Sequence, residues 1–163
     1  FGSGVICPET GVLFQNRGAG FSLSPGPNCL APGRKPFHTL NPAMAIMNDG
    51  RIVSYGTMGG EGQPQTQAAI FSRYAFHGVD LQRSISAPRW LLGKTWGDDT
   101  TSLKLEKSFD LDLVEKLSSA GHDTELVAAN NSLMGHAGAV VSHPDGRVEA
   151  ASDARSDGIA LAG

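Results

Sequence analysis

The chain has 163 residues, the length of one domain, and 40% of them are apolar, enough to build a hydrophobic core. Charged residues make up only 18%, the formal net charge is −3 and no basic block occurs, which argues against a protein that binds nucleic acid or an anionic membrane surface. No apolar run approaches the roughly 20 residues of a membrane-spanning helix, so no membrane span is predicted.

The first part of the chain predicts one short strand and a long loop. Residues 11–16 have strand character, because Val12 and Phe14 alternate with Leu13. Residues 17–36 carry Pro and Gly in tight clusters and predict a surface loop. A loop of this length is usually either functional or disordered.

The central part predicts a β-hairpin followed by two helices. Strands at residues 43–47 and 51–56 flank Asn48-Asp49-Gly50, and an Asp-Gly pair supplies the positive φ of a tight turn. A helix is predicted from Pro64 to about His77, since Pro suits the first helical turn. Asp80 is expected to cap a second helix that ends before Pro88.

The last part predicts a strand, a helix, another strand and a second hairpin. Leu103 and Leu105 alternate with charged residues, which is typical of a half-exposed strand. The remaining elements are a helix capped by Asp110 and ending at Ala120, a strand over residues 124–128, and strands at 138–142 and 147–151 around Pro144-Asp145-Gly146. Antiparallel hairpins with a few helices indicate an α+β layered fold.

The two cysteines, Cys7 and Cys29, have neither metal-type spacing nor a nearby histidine. We therefore predict no metal site and no other cofactor. Buried free thiols are expected rather than a disulfide. Free thiols favour a reducing compartment, so a cytoplasmic location is expected over a periplasmic or secreted one.

The most informative local pattern is the adjacent pair Gly59-Gly60, which lies between the predicted strand at 51–56 and the helix that begins at Pro64. Two glycines at such a junction leave backbone N–H groups accessible to a ligand. They suit a phosphate, or the oxyanion that forms when an amide is attacked. A tight structural turn is the alternative.

Six short motifs, in order, resemble the C-terminal part of the small subunit of a gamma-glutamyltranspeptidase-family protein. They are Phe1-Gly2-Ser3-Gly4-Val5, the run from Glu9 to Asn16, the run from Gly33 to Pro42, the Gly59-Gly60 run, Ser86-Ala87-Pro88-Arg89-Trp90, and the run from Glu149 to Gly158. The resemblance spans nearly the whole chain. It implies a single domain over residues 1–163 that forms part of the α-β-β-α sandwich of the N-terminal nucleophile hydrolases. A large subunit from the same precursor is the implied partner.

The resemblance also implies residue roles. The backbone N–H groups of Gly59 and Gly60 are expected to form the oxyanion hole. The pair His38-Thr39 stands where the family commonly has two hydroxyl residues that contact the substrate carboxylate. Thr39 keeps the hydroxyl, whereas His38 is either a hydrogen-bond donor to substrate or a packed loop residue.

One stretch departs from the family pattern. In the transpeptidases that act on glutathione, an acidic residue that binds the substrate's alpha-amino group stands where this chain has Gly20. Arg17 stands where a neutral amide is expected, and its guanidinium suits a carboxylate. This stretch therefore predicts a preference for a small acid that lacks the alpha-amine. An exposed loop arginine is the alternative for Arg17.

Two functions follow from these patterns. In the first, the chain is part of a self-processing amidohydrolase or acyltransferase. An N-terminal Thr outside this chain then attacks a small-molecule amide. Thr10 and Thr39 of this chain do not match the family's Thr-led start. Oxamate-type amidohydrolases and cephalosporin-acylase-like proteins both fit. The second is a non-catalytic structural or binding remnant of such a subunit.

Overall fold

The computed structural model describes residues 4–95 and 99–161, so Phe1, Gly2 and Ser3 of the first motif lie outside the described residues. The chain divides into two units, Phe1–Leu40 and Asn41–Gly163. The single domain expected over residues 1–163 stays a prediction.

The first unit has an irregular backbone. An isolated antiparallel bridge joins Ile6 to Leu13, and an isolated parallel bridge joins Ser22 to Cys29. A short 3-10 turn spans Arg17–Gly20. The strand predicted over residues 11–16 is wrong, since only the Leu13 bridge forms there. A strand is stable only when its backbone groups are paired along its length, and residues 11–16 have no such continuous pairing in the part of the chain that the structure describes.

The second unit contains the regular elements of the fold. In chain order they are β1 (Ala43–Ile46), β2 (Ile52–Thr57), α1 (Gln63–Ala75), α2 (Leu81–Ser86), β3 (Trp90–Leu92), β4 (Leu103–Glu106), α3 (Leu111–Ser119), β5 (Thr124–Val127), β6 (Ala137–Ser142) and β7 (Val148–Ser152). Both hairpins and all three helices predicted from the sequence are confirmed, with boundaries that differ by one or two residues.

The larger sheet is antiparallel, with strand order β1-β2-β6-β7. The long-range pair is β2 with β6, in which Thr57 at the end of β2 lies opposite Ala137 at the start of β6. This register places the segment after β2 next to the segment before β6. The Gly59-Gly60 turn follows β2, so the pairing of two distant strands determines which backbone lies beside it.

Helices α1 and α2 cover one face of this sheet. Polar and apolar residues of α1 are buried at helical spacing, among them Thr66, Ile70 and Tyr74. The main core lies between these helices and the sheet and consists of Val53, Ile70, Tyr74, Leu81, Ile85, Ala137, Ala139, Val141 and Ala151. The starts of α2 and α3 are capped as predicted, because Asp80 accepts from the Arg83 N–H and Asp110 from the Asp112 N–H, both at 3.0 Å.

The opposite face of the larger sheet is exposed and apolar. The residues that alternate with the core residues along the strands include Met44, Ile46, Ile52, Val140 and Val148, with exposed fractions of 71%, 79%, 42%, 47% and 67%. A sheet face of this kind normally packs on another layer. The larger sheet and its two helices therefore form two layers of a structure that needs a third.

The smaller sheet has the order β3-β4-β5. Strands β3 and β4 are antiparallel, whereas β4 and β5 are parallel and are connected through α3. The prediction of a half-exposed strand at residues 103–106 is wrong, because Lys104 and Glu106 are buried together with Leu105. Both charged side chains have partners inside the protein, which compensates for their loss of water.

Candidate functional site

The Gly59-Gly60 turn joins the end of β2 to the helical segment that carries α1. A 3-10 turn, Gly60–Gly62, follows the pair and continues directly into α1. Gly59 has φ 135° and Gly60 has φ 50°. Residues with a Cβ rarely adopt these angles, so the backbone here requires glycine.

Neighbouring backbone also leaves little space at the pair. A Cβ on Gly60 would overlap the carbonyl oxygen of Thr95, and a Cβ on Gly59 would lie 3.3 Å from Cα of Gly135. Gly59 is buried and Gly60 is exposed. The pair therefore lies where packed protein meets the surface.

The amide groups of the pair have no acceptor among the residues that the structure describes. Within residues 4–95 and 99–161, no hydrogen bond uses the N–H of Gly59 or Gly60, whereas the Gly59 carbonyl accepts from the Gly62 N–H at 2.9 Å. The N-terminus of α1 adds a partial positive charge close by. Two adjacent donors of this kind can stabilise a negative oxygen.

The segment before β6 lies against this turn. The Met58 N–H donates to the His136 carbonyl at 3.3 Å. Gly135 has φ 79°, and a Cβ there would overlap the Met58 carbonyl and lie 2.5 Å from Oγ1 of Thr57. Residues 134–136 therefore form the wall behind the Gly-Gly pair.

A buried network of four charged residues lies behind this wall. Arg89 pairs with Asp153, Arg155 pairs with both Asp153 and Glu106, and all four side chains are at most 1% exposed. Asp153 and Arg155 belong to the motif at residues 149–158 and form an ion pair, whereas Asp157 of the same motif is exposed. The sequence analysis did not identify the roles of Arg89 and Glu106. Glu106 follows the alternating pattern that is typical of an exposed strand residue, and Arg89 was noted only as one residue of a family motif.

Backbone groups complete the network. The carboxylate of Asp153 accepts from the Ala137 N–H at 2.7 Å, and that of Glu106 accepts from the Arg89 and Asn131 N–H groups, both at 2.9 Å. These bonds tie the segment after α2, β4, the segment before β6, β6 itself and the C-terminal segment together. A buried charge is tolerated only with such partners.

The pKa values of three groups in the network are shifted by burial and by their charged partners. Burial alone would raise the pKa of Asp153, but the Ala137 N–H and the Arg89 guanidinium outweigh it, and the pKa is lowered. Burial and repulsion from Arg155 lower the pKa of Arg89 below its usual value. Burial also opposes the charge of Arg155, but its hydrogen bonds to Glu106 prevail and raise its pKa. The shifts of Asp153 and Arg155 thus favour the ionised forms of these two groups.

The predicted substrate-binding residues lie in the first unit. Arg17 opens the 3-10 turn of that unit, and its Nε donates to Oε1 of Gln15 at 3.4 Å. His38 and Thr39 lie in irregular backbone and are exposed. The structure thus places Arg17, His38 and Thr39 in one unit and Gly59 and Gly60 in the other. The catalytic and binding roles of all five residues stay predictions.

Other kinds of site find no support in the part of the chain that the structure describes. No cluster of three or more His, Cys, Asp or Glu side chains there has a geometry suited to a metal ion. Cys7 and Cys29 are free thiols and are partly rather than fully buried. None of the helices in residues 4–95 and 99–161 has the length and hydropathy of a membrane span.

Comparison with known proteins agrees with this geometry. The family model described as gamma-glutamyltranspeptidase matches residues 1–163. The chain is 59% identical over 161 residues to the oxamate amidohydrolase proenzyme of Klebsiella pneumoniae. This match covers 98% of this chain and 30% of that protein. It is 43% identical over 162 residues to the glutathione hydrolase-like YwrD proenzyme of Bacillus subtilis. This second match covers 99% of this chain and 31% of that protein. The chain thus spans about a third of the length of these curated relatives.

A solved structure shows the same fold. The gamma-glutamyltranspeptidase of Pseudomonas nitroreducens, complexed with L-DON, superposes with a TM-score of 0.68 over 99% of this chain and 87% of the matched chain, at 20% sequence identity. The α+β fold predicted from the sequence is therefore confirmed, and it is the fold of this solved transpeptidase. By its sequence and its fold, the chain belongs to the gamma-glutamyltranspeptidase family of enzymes.

Proposed function

We propose that the chain is the C-terminal part of the small subunit of a self-processing amidohydrolase that cleaves the amide of a small carboxylic acid. The nucleophile is an N-terminal Thr outside residues 1–163, and the partner is a large subunit from the same precursor. The observation that carries the proposal is the Gly59-Gly60 turn, whose amide groups are free of internal acceptors in the described chain and lie before α1.

The chemistry follows from these parts. The Thr hydroxyl attacks the amide carbonyl while the α-amine of the same Thr takes the proton. Negative charge develops on the carbonyl oxygen, and the N–H groups of Gly59 and Gly60 donate hydrogen bonds to it. Collapse of the tetrahedral intermediate releases the amine and leaves an acyl-enzyme ester, which water hydrolyses.

The substrate class rests on the first unit and on one relative. The relative that is 59% identical is named for oxamate, which has a carboxylate next to its amide and no alpha-ammonium group. Gly20 offers no carboxylate for an ammonium, whereas Arg17 offers a guanidinium for a carboxylate. In this proposal Arg17, His38 and Thr39 bind the substrate carboxylate.

Kinetics of the complete processed enzyme test this substrate class. We expect higher kcat/KM on oxamate and on a glutaryl anilide than on a gamma-glutamyl anilide. Arg17→Gln should raise KM for the acids more than it lowers kcat, because it removes ground-state binding. Intact-mass analysis of the native protein checks for the Thr-led segment and for cleavage of the precursor.

A substitution at Gly20 gives the reciprocal test. A Cβ on Gly20 meets no atom within 4 Å, so an aspartate fits there. Gly20→Asp should raise kcat/KM on the gamma-glutamyl anilide relative to oxamate. Gly18→Asp is the matched control, since Gly18 lies in the same 3-10 turn and is equally open. Higher efficiency of the unmodified enzyme on the gamma-glutamyl anilide than on the glutaryl anilide would overturn the assigned substrate class.

A further inference from the structure

The Gly59-Gly60 turn is positioned by backbone that is distant in sequence. Gly135 lies directly behind Gly59, and the His136 carbonyl accepts from the Met58 N–H. Neither Gly59 nor Gly135 has room for a side chain, so the two backbones are in direct contact. A shift of residues 134–136 would therefore be transmitted to Gly59 through direct backbone contact, since packed interiors transmit strain.

Two buried side chains hold residues 134–136 in place. Arg89 donates through one terminal nitrogen to the carbonyls of Met134 and Gly135, at 2.9 and 3.0 Å. Thr66, on the first turns of α1, donates its hydroxyl to the same Met134 carbonyl at 3.0 Å. Thr66 is 4% exposed and Arg89 is fully buried, so water does not compete for these bonds.

Arg89 is itself fixed from the other side. Its second terminal nitrogen donates to the Ile85 carbonyl at 2.9 Å and pairs with Asp153. Asp153 in turn accepts from the Ala137 N–H at 2.7 Å. Because a guanidinium is a rigid planar fork, anchoring one nitrogen fixes the direction of the other.

We propose that Arg89 and Thr66 are positioning residues of the oxyanion hole: they hold the Met134 and Gly135 carbonyls, and this backbone fixes the Gly59 and Gly60 amides in the direction that the oxyanion needs. The inference rests on the proposed function of the Gly-Gly pair. Neither side chain contacts the substrate in this proposal. Their effect passes through residues 134–136 and appears in the transition state rather than in substrate binding.

The test uses Thr66→Val in the complete processed enzyme. Valine has nearly the same size as threonine, and the variant leaves the buried ion pairs intact. We expect kcat on oxamate to fall about tenfold with KM within about twofold, since small misplacement of catalytic groups lowers turnover. Hydrogen–deuterium exchange of the peptide that spans residues 58–62 should become faster in the same variant.

Two further variants complete the test. Ser84→Ala is the matched control, because Ser84 is fully buried and its hydroxyl donates to the Val79 carbonyl at 3.2 Å, away from residues 134–136. It should change neither kcat nor the exchange of residues 58–62. Arg89→Lys keeps the charge but loses the fork, and should lower kcat more than Thr66→Val does if the enzyme folds.

The outcomes separate this inference from the proposed function. If Thr66→Val matches Ser84→Ala in both kcat and exchange, the positioning role is wrong. If the unmodified enzyme turns over no amide at all, the proposed function fails, and the exchange measurement still decides whether Thr66 holds the turn. Faster exchange in residues 58–62 with unchanged kcat would show that the turn is held by Thr66 but is not the oxyanion hole, which also overturns the inference.

Discussion

At the scale of single residues, Gly60 combines two constraints that a side chain cannot satisfy. Its φ of 50° is unfavourable for residues with a Cβ, and a Cβ would overlap the Thr95 carbonyl. The two constraints have different consequences, since the first costs backbone strain and the second displaces the turn. A substitution at Gly60 can therefore be compared with one at a glycine that meets only the first.

Gly60→Ala should lower kcat of the complete processed enzyme by a factor of about a hundred or more, the effect of losing one oxyanion donor. Gly78→Ala is the control, because Gly78 has φ 63° and no atom within 4 Å of its Cβ position. The control should keep wild-type turnover. Steady-state kinetics on oxamate measure both. Unchanged kcat in a folded Gly60→Ala enzyme would refute the oxyanion role.

Asp153 is the residue whose charge the buried network most depends on, because it lies between Arg89 and Arg155. Its pKa is lowered in the folded protein. Its contribution to stability is therefore fully present above the unfolded pKa of about 3.9 and is lost as the pH falls through the lower folded value. Breaking a buried pair by removing one partner costs about 3–5 kcal/mol.

Asp153→Asn should consequently lower Tm strongly at pH 7, and the difference from the wild type should shrink below about pH 4. Thermal unfolding of the complete protein across this range measures the effect. Asp157→Asn serves as the control, since Asp157 is exposed and should leave Tm unchanged. A deficit in Tm that is the same at pH 7 and at pH 3 would show that charge is not the cause.

At the scale of elements, the smaller sheet shows how a local pattern misleads. The alternation in β4 predicts that Lys104 and Glu106 face water. Instead, Nζ of Lys104 donates to the Gly93 carbonyl at 2.9 Å and to Oγ of Ser102 at 2.8 Å, and Glu106 pairs with Arg155. A strand buried on both faces accommodates charge when each group finds a partner. Those partners come from the segment between β3 and β4 and from the C-terminal segment, which the β4 sequence does not reveal.

Helix α3 connects the parallel strands β4 and β5, and its start depends on one carboxylate. Asp110→Ala removes the acceptor for the Asp112 N–H and should cost about 1 kcal/mol, a few degrees or less in Tm. Glu115→Ala is the control, because Glu115 is exposed in the middle of α3. Thermal unfolding of the two variants tests the cap. Equal Tm values would show that Asp110 does not stabilise the helix start.

At the scale of the whole molecule, the exposed sheet face is the dominant feature. Met44, Ile46 and Val148 are each at least 67% exposed on the same face of the larger sheet. In the α-β-β-α sandwich such a face lies against a second sheet. We expect residues supplied by the rest of the precursor to cover it, which is the structural basis of the proposed large-subunit partner.

Expressed alone, residues 1–163 should therefore self-associate, because exposed apolar patches of this size drive association. Ile46→Lys together with Val148→Lys should reduce the association seen by light scattering. Phe76→Lys is the control, since Phe76 is 76% exposed but lies just after α1, away from the sheet face. A well-dispersed monomer of the unmodified fragment would contradict the expectation.

The sequence alone determined the class of fold, most helices and strands, the family, and the unusual Gly59-Gly60 turn. These features depend on local information: cap residues, Asp-Gly turns, helical spacing and short motifs in a fixed order. The departures from the family pattern at Arg17 and Gly20 could also be recognised in the sequence. The roles of these residues and the cytoplasmic location stay predictions. The strand over residues 11–16 was predicted wrongly, because local alternation does not supply the pairing partner that a strand requires.

Only the tertiary structure decided what lies behind the turn. The pairing of β2 with β6 places Gly135 against Gly59, and the convergence of Arg89, Glu106, Asp153 and Arg155 joins three distant segments. No local pattern encodes such contacts, because burial of a charged residue is favourable only when its partners arrive from elsewhere in the chain. The glycines could therefore be found in the sequence, whereas the residues that hold them in position could be found only in the fold.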